Sequence, residues 1–98
     1  MEAVKCKVQL SSDYYARGEV IFIVISNVGD SSIQVSKCVI EGGGASVEKQ
    51  VNQLLRPGES TTVMWDQYGD GDMVPPGQYV VRCIAGETSC SSSFSISP

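Results

Sequence analysis

Histidine is absent from this chain of 98 residues, and its absence limits the chemistry that the protein can perform. Histidine is the commonest general base and the commonest metal ligand in proteins. No serine lies in a Gly-x-Ser-x-Gly motif, and the three glycines at residues 42–44 are not followed by the Lys-Ser/Thr of a phosphate-binding loop. The sequence therefore predicts a protein that is not an enzyme and holds no cofactor.

Positive charge and long apolar runs are also scarce. The net charge is -4 and the pI is about 4.5, so the surface cannot release counterions from a phosphate backbone as a basic surface does. The longest apolar run, residues 20–25, is far shorter than the roughly 20 residues that a membrane helix needs. We expect no nucleic-acid binding and no membrane insertion of this segment. The sequence leaves a protein partner unidentified and the oligomeric state open.

The length and composition predict one folded domain. A chain of 98 residues is too short for two hydrophobic cores, and 42% of its residues are hydrophobic, which is enough to offset the ordering entropy of folding. We therefore expect a single domain over residues 1–98.

Alternation of apolar and polar residues predicts short strands along the whole chain. The first carries Val4, Cys6, Val8 and Leu10 on one face. Further strands are predicted at residues 19–26, 32–40, 45–51, 60–66 and 79–84, and a last one carries Cys90, Phe94 and Ile96. The strand at 19–26 is apolar at both parities, which predicts that both of its faces are covered, and the strand at 45–51 is predicted to be a sheet edge.

Turn signals separate these strands. Pro57-Gly58 predicts a turn, residues 42–44 predict a flexible loop, and Gly86-Glu87 fits the centre of a two-residue hairpin. Regular turn spacing without helical periodicity predicts an all-β immunoglobulin-like sandwich of about seven antiparallel strands. We expect its core to hold Trp65, Tyr79 and Phe22, with the Tyr79 hydroxyl reaching a backbone group.

The order of motifs from Gly18 to Cys83 resembles a prokaryotic immunoglobulin-like pattern. Its parts are Gly18-Glu19, Asn27 and Gly29, Leu-Arg-Pro-Gly-Glu-Ser at 55–60, Trp65-Asp66, Gly71, and Val-Pro-Pro-Gly-Gln-Tyr at 74–79. The pattern is similar to the intracellular proteinase inhibitor family and, more loosely, to the cell-adhesion-related domain of bacterial and archaeal surface proteins. The resemblance implies an immunoglobulin-like scaffold. The chain differs from the inhibitor family in its four cysteines, because that family depends on none.

An even number of cysteines in a small chain is typical of a disulfide framework. If Gly86-Glu87 is a two-residue turn, Cys83 and Cys90 lie opposite one another, and Cys6 is left to pair with Cys38. The rival pairing of Cys38 with Cys83 would join two strands that are neighbours in the immunoglobulin arrangement. Buried free thiols are the alternative to disulfides, and a zinc site is disfavoured because no Cys-x-x-Cys is present. Bridged cysteines favour an oxidising, extracytoplasmic location, or a hyperthermophile.

One loop carries a candidate binding site formed by Asp66, Asp70, Asp72 and Met73. The spacing of the three aspartates does not match a calcium-binding EF-hand, so turn chemistry is the favoured role for their carboxylates and no metal site is predicted. Met73 is expected at the core or its rim. Tyr14-Tyr15 either packs or anchors a contact, since aromatic residues are enriched at interfaces.

Two functions follow from this inventory. The leading hypothesis is a non-catalytic binding or structural module, one domain of a surface or secreted protein. The rival is a proteinase inhibitor whose exposed loop at residues 67–76 occupies a protease cleft.

Overall fold

A computed structural model describes residues 6–69 and 71–98, so the predictions for Val4 and Asp70 lie outside the described residues. Eight strands form the framework: β1 (Cys6–Leu10), β2 (Tyr14–Tyr15), β3 (Ile21–Asn27), β4 (Ile33–Gly42), β5 (Ala45–Leu55), β6 (Ser60–Trp65), β7 (Gly77–Ala85) and β8 (Thr88–Ile96). No helix occurs within this part of the chain, and none therefore is long and apolar enough to cross a membrane.

The strands form two sheets that pack face to face. One sheet has three strands in the order β1-β3-β6, and the other has five in the order β2-β8-β7-β4-β5. All named pairs are antiparallel except β2 with β8, which pair in parallel over two residues at the end of β8. The predicted all-β immunoglobulin-like sandwich is confirmed, with the two-residue β2 as an additional strand.

Tight turns join the neighbouring strands of the larger sheet. Gly43 and Gly44 both have positive φ, 53° and 82°, and form a two-residue turn between β4 and β5. Positive φ at both central residues matches the twist of a hairpin, and glycine adopts it without steric cost. The flexible loop predicted at residues 42–44 is therefore a two-residue hairpin turn, with Gly42 as the last residue of β4. The two-residue turn at Gly86-Glu87 is confirmed, because Ala85 pairs with Thr88.

The core lies between the sheets and is built around aromatic rings. Tyr79 stacks on Phe94 with ring centroids 5.7 Å apart, and Trp65 meets both rings edge-on at 6.4 Å. Tyr15 closes the cluster, with its ring 5.9 Å from that of Phe94. The predicted burial of Trp65 and Tyr79 is confirmed, since both side chains are almost wholly inaccessible. Burying such a ring stabilises the fold by about 2–3 kcal/mol.

The predicted core position of Phe22 is wrong. In β3 the side chains of Ile21, Ile23 and Ile25 point inward and are fully buried, whereas Phe22 has the opposite parity and is 42% exposed. The expectation that both faces of this strand are covered is likewise wrong at Phe22, whose side chain is exposed on the outer face of the three-stranded sheet. Side chains alternate between the two faces of a strand, so a run that is apolar at both parities does not say which set is inside.

Tyr79 ties the core to the chain that enters β7. Its hydroxyl donates a hydrogen bond to the carbonyl oxygen of Pro75, as the sequence predicted. Burial raises the pKa of the Tyr79 phenol, and the charge of Arg17 opposes this by lowering it. The ring lies against Gly42, its register partner in β4, where an added Cβ would come within 2.7 Å of Tyr79 Cδ2. A glycine is therefore needed at residue 42 for the ring to pack.

Candidate functional site

The loop after β6 contains the residues that the sequence singled out, and it is folded back on itself. Tyr68 and Met73 form an antiparallel bridge, and the backbone N–H of Val74 donates to the carbonyl of Gln67 over 2.8 Å. A second bond of 2.8 Å joins the N–H of Gly69 to the carbonyl of Asp72. The loop is thus a short closed hairpin and not an extended segment.

Gln67 fixes this loop to the rest of the molecule. Its side chain is fully buried, although its φ of 69° is unusual for a residue other than glycine. Its Nε2 donates to the carbonyl oxygens of Ala16 and Glu19 at 2.9 and 2.8 Å, and its Oε1 accepts from the N–H of Gly18 at 3.0 Å. All three hydrogen bonds of the amide group are made to the link between β2 and β3. No sequence pattern indicates the role of Gln67, because a glutamine beside Asp66 is ordinary loop composition.

The acidic residues of the loop do not share one role. The carboxylate of Asp66 accepts a hydrogen bond of 3.1 Å from the N–H of Tyr68, which is the turn chemistry favoured from the sequence. Asp72 is exposed, and Asp70 is outside the described residues. Within residues 6–69 and 71–98, no three Cys, Asp or Glu side chains are grouped in a way that could hold a metal ion.

Met73 borders a shallow depression between the loop and β5. The depression has a volume of about 320 Å³ and is lined on one side by Ala45 and Val47 and on the other by Gly69, Met73 and Val74. Met73 is half-buried and lines this depression, so part of its side chain is exposed at the surface. Whether the loop residues Asp66, Asp70, Asp72 and Met73 bind a partner stays a prediction.

The four cysteines lie at one level of the sandwich, and they form two disulfides. Cys38, Cys83 and Cys90 are register partners across β4, β7 and β8, and Cys6 lies opposite them in the other sheet. Cys38 is bonded to Cys83 within the five-stranded sheet, and Cys6 is bonded to Cys90 between the sheets. The Cα atoms of Cys6 and Cys90 are 5.8 Å apart, a usual distance for a disulfide.

The preferred pairing of Cys83 with Cys90 and of Cys6 with Cys38 is therefore wrong. Cys83 and Cys90 do lie opposite one another, as the two-residue turn implied, but Cys83 has a second register partner on its other side in Cys38. Cys90 is then available to Cys6. The rival pairing of Cys38 with Cys83, between neighbouring strands, is the one that the structure contains.

The outer face of the three-stranded sheet carries an apolar stripe, formed by Phe22, Val24 and Met64. Phe22 and Met64 are register partners on β3 and β6, and Met64 is 62% exposed. Val24 follows on the same face of β3 and is half-buried. Tyr14, the exposed member of the Tyr14-Tyr15 pair, lies on the other sheet, while the Tyr15 ring is in the core.

Comparisons with known proteins support the fold and leave the family open. No family model matches the chain, and no curated protein matches it. Solved structures do match the chain. One is the CARDB domain of a Pyrococcus furiosus protein in complex with di-metal ions, with 12% identity and a TM-score of 0.58 over 94% of this chain and 90% of that one.

The other two are longer proteins. Spo0M, the sporulation control protein of Bacillus subtilis, has 16% identity and a TM-score of 0.60 over 96% of this chain and 49% of its own. The alkylpurine DNA glycosylase AlkC of Pseudomonas fluorescens, bound to DNA containing an abasic site analog, has 14% identity and a TM-score of 0.59 over 99% of this chain. This chain spans only 32% of the glycosylase, so the likeness concerns one part of that enzyme. At these identities the matches show a shared fold.

Proposed function

We propose that the protein is a non-catalytic binding or structural module that works in an oxidising environment, as one domain of a surface or secreted protein. The observation that carries this proposal is the pair of disulfides, Cys6–Cys90 and Cys38–Cys83, which together use all four cysteines. Disulfides form and persist outside the reducing cytoplasm of most organisms. A small sandwich benefits from them because its core is limited in size.

The distribution of polar groups supports a role without catalysis. Catalysis by side chains needs a nucleophile or base held close to a partner that shifts its pKa. The serines of β8 that are well exposed, Ser89, Ser91 and Ser93, stand on the outer face of the strand, and the chain has no histidine to activate them. The likeness to a CARDB domain, which covers nearly the whole of both chains, agrees with a cell-adhesion-related module.

The inhibitor hypothesis receives less support from the geometry of the loop at residues 67–76. A loop that fills a protease cleft must present an extended, accessible main chain, whereas here Gln67 and Val74 are buried and bonded to each other through their backbones. Stoichiometric inhibition of chymotrypsin or subtilisin at sub-micromolar concentration would nevertheless establish it.

The test of the proposal is the thiol state and location of the protein in its own cells. Cells are quenched in acid, free thiols are alkylated, and the protein from each cell fraction is weighed by mass spectrometry. We expect no alkylated cysteine and recovery outside the cytoplasm. Four alkylated cysteines in a cytoplasmic fraction would contradict the proposal.

A further inference from the structure

The sheet edges of this sandwich differ in how they are protected. An edge strand exposes unpaired N–H and C=O groups and attracts other strands unless charge, shortness, a bulge or a covering segment prevents it. β1 carries the charged Lys7, and β2 is only two residues long. β2 pairs with only the last residues of β8. The rest of β8 contacts β1, to which it is joined by the disulfide between Cys90 and Cys6.

The long edge strand β5 is protected twice. It carries the charged residues Glu48 and Lys49, and Lys49 has the parity of the inward-facing Val47 and Val51. Its pairing with β4 is interrupted by a bulge, where Asn52 takes a φ of 50°. A bulge bends and twists the strand, and an inward-pointing charge makes a further strand costly to add.

β6 has none of these protections. Its sequence, Ser-Thr-Thr-Val-Met-Trp, has no charge, no proline and no glycine, its register with β3 is regular, and no strand in the described chain pairs with its other side. Such a strand is rich in residues that favour β-structure. Among the edges of the described chain, β6 is therefore the one best suited to accept another strand.

The hydrogen-bond pattern identifies which backbone groups are free. The N–H of Asn27 donates to the carbonyl of Glu59 at 2.9 Å, so this pair is hydrogen-bonded. Hydrogen-bonded and non-hydrogen-bonded pairs alternate along an antiparallel ladder. Thr61, Val63 and Trp65 are therefore the residues of β6 whose backbone groups bond to β3. The N–H and C=O groups of Ser60, Thr62 and Met64 consequently point to the open edge. The stripe of Phe22, Val24 and Met64 lies beside this edge on the outer face.

The charges at the ends of β6 indicate what kind of strand fits. Glu59 precedes the strand and Asp66 follows it, so both ends are acidic. One oxygen of Glu59 accepts a hydrogen bond from the N–H of Arg56, and one oxygen of Asp66 accepts from the N–H of Tyr68. The second oxygen of each carboxylate accepts no such backbone hydrogen bond. An antiparallel pairing of β6 with a second copy would place Glu59 of one copy beside Asp66 of the other, and like charges oppose that arrangement.

We propose that the open edge of β6 binds an extended segment of another protein, whose alternate apolar side chains cover the Phe22–Met64 stripe and which has a basic residue at each end of the paired region. Strand addition of this kind gains affinity from the main chain and specificity from the side chains and flanking charges. The inference rests on the proposed function, because it names the surface and partner of a binding module.

The probe is a blocked and fluorescently labelled peptide, Lys-Thr-Val-Thr-Val-Thr-Val-Lys, titrated with the oxidised protein and followed by anisotropy. We expect saturable binding that weakens at least about tenfold when both lysines are replaced by glutamate, or when the protein carries both Glu59→Gln and Asp66→Asn. Both protein substitutions keep an oxygen acceptor for the turns. Equal binding of the lysine and glutamate peptides would overturn the charge assignment.

Amide hydrogen exchange tests the edge without any substitution. We expect the peptide to slow exchange at Ser60, Thr62 and Met64 and to leave β5 unchanged. Thr62→Pro removes one outward N–H at a position where an edge strand tolerates proline, and it should abolish binding while the circular dichroism spectrum is kept.

Three results would overturn the proposal: protection at β5, binding that survives in a folded Thr62→Pro protein, or no binding at all. A dimer in sedimentation that Thr62→Pro dissociates would instead identify the occupant as a second copy. If the peptide fails while the protein is extracytoplasmic and has no free thiols, this inference is wrong and the proposed function stands.

Discussion

The two sheets of the sandwich present different surfaces to water. The outer face of the five-stranded sheet is mixed, with single exposed apolar residues such as Leu54 and Val80 among polar ones. Its polar groups include Ser89, Ser91 and Ser93 on β8, and ion pairs join Lys37 to Glu48 at 2.9 Å and Arg82 to Glu41 at 3.5 Å. On the outer face of the three-stranded sheet, the apolar residues Phe22 and Met64 lie side by side as register partners.

Exposed ion pairs contribute little to stability, about 0–1 kcal/mol each. The difference between the two outer faces therefore affects what the surface can bind more than it affects the stability of the fold. Scattered apolar residues at a surface are ordinary, whereas register neighbours beside an uncharged edge mark a place where another chain can pack. The exposed apolar residues of the five-stranded sheet have polar register partners, whereas Phe22 and Met64 are register partners of each other, and this difference is the basis of the proposed binding surface.

The largest expected loss of stability comes from the inner face of β6, and the outer face of the same strand is the control. Trp65→Ala should destabilise the protein by about 3–5 kcal/mol, because it removes a fully buried ring from the aromatic core. Met64→Ala, one residue away and mostly exposed, should change stability by no more than about 0.5 kcal/mol. Urea unfolding of the two variants measures both values. Similar losses would mean that the face assignment of β6 is wrong.

The two disulfides differ in what they connect. Cys6–Cys90 joins residues 84 apart in sequence and links the sheets, whereas Cys38–Cys83 joins residues 45 apart within one sheet. Removing either pair as a double alanine variant should cost about 2–4 kcal/mol, since both close long loops in the unfolded chain.

Hydrogen exchange distinguishes these two double variants. Only loss of Cys6–Cys90 should accelerate amide exchange in β1, because that bond holds β1 to β8. Accelerated exchange of β1 in the Cys38→Ala, Cys83→Ala protein alone would contradict the assignment.

Gln67→Met should destabilise the protein by about 2–3 kcal/mol. The change preserves the length of the side chain but leaves the N–H of Gly18 and the carbonyls of Ala16 and Glu19 without their partner. Asp72→Asn, an exposed change in the same loop, is the matched control and should be neutral. A neutral Gln67→Met variant would show that other contacts hold the loop to the link between β2 and β3.

Tyr79→Phe should cost about 1 kcal/mol, less than the Trp65, disulfide and Gln67 changes, from loss of the hydrogen bond to Pro75. Because burial raises the pKa of Tyr79 in the folded state, the neutral phenol is the form that the fold favours. Its contribution is present in full below about pH 10 and is lost as the pH rises through the higher pKa of the folded state.

The variant should consequently lose less stability than the parent as the pH rises above about 10. Urea midpoints across that range measure the difference, with Tyr14→Phe as the control for an exposed tyrosine. Identical alkaline profiles for parent and Tyr79→Phe would contradict the assignment.

Local signals in the sequence predicted the strands and turns well. Gly86-Glu87 and Pro57-Gly58 are turns because their residue types determine the backbone there, as the positive φ of Gly58 and Gly86 shows. Alternation on strands with one clear apolar parity predicts the core positions of Trp65 and Tyr79. The face of Phe22 could not be decided in this way, because its neighbours are apolar at both parities.

Features that depend on the order of strands in space could not be predicted. Cys83 has one register partner on each side, and only the position of β7 between β4 and β8 decides that Cys38 is its partner. The role of Gln67 depends on its hydrogen bonds to Ala16 and Gly18, some 50 residues earlier in the chain. A local sequence pattern does not indicate such distant partners. The open edge of β6 likewise follows from sheet order and not from its sequence alone.

The pairing of the cysteines is the most direct test of the central claim, a disulfide-joined sandwich suited to an oxidising environment. Trypsin and Glu-C together cleave after Lys7, Lys37, Arg82 and Glu87, among other sites, and so place each cysteine in a separate peptide. Mass spectrometry of the unreduced digest should show the Cys6 peptide linked to the Cys90 peptide and the Cys38 peptide linked to the Cys83 peptide. Links between Cys83 and Cys90 and between Cys6 and Cys38, or four free thiols, would contradict the account.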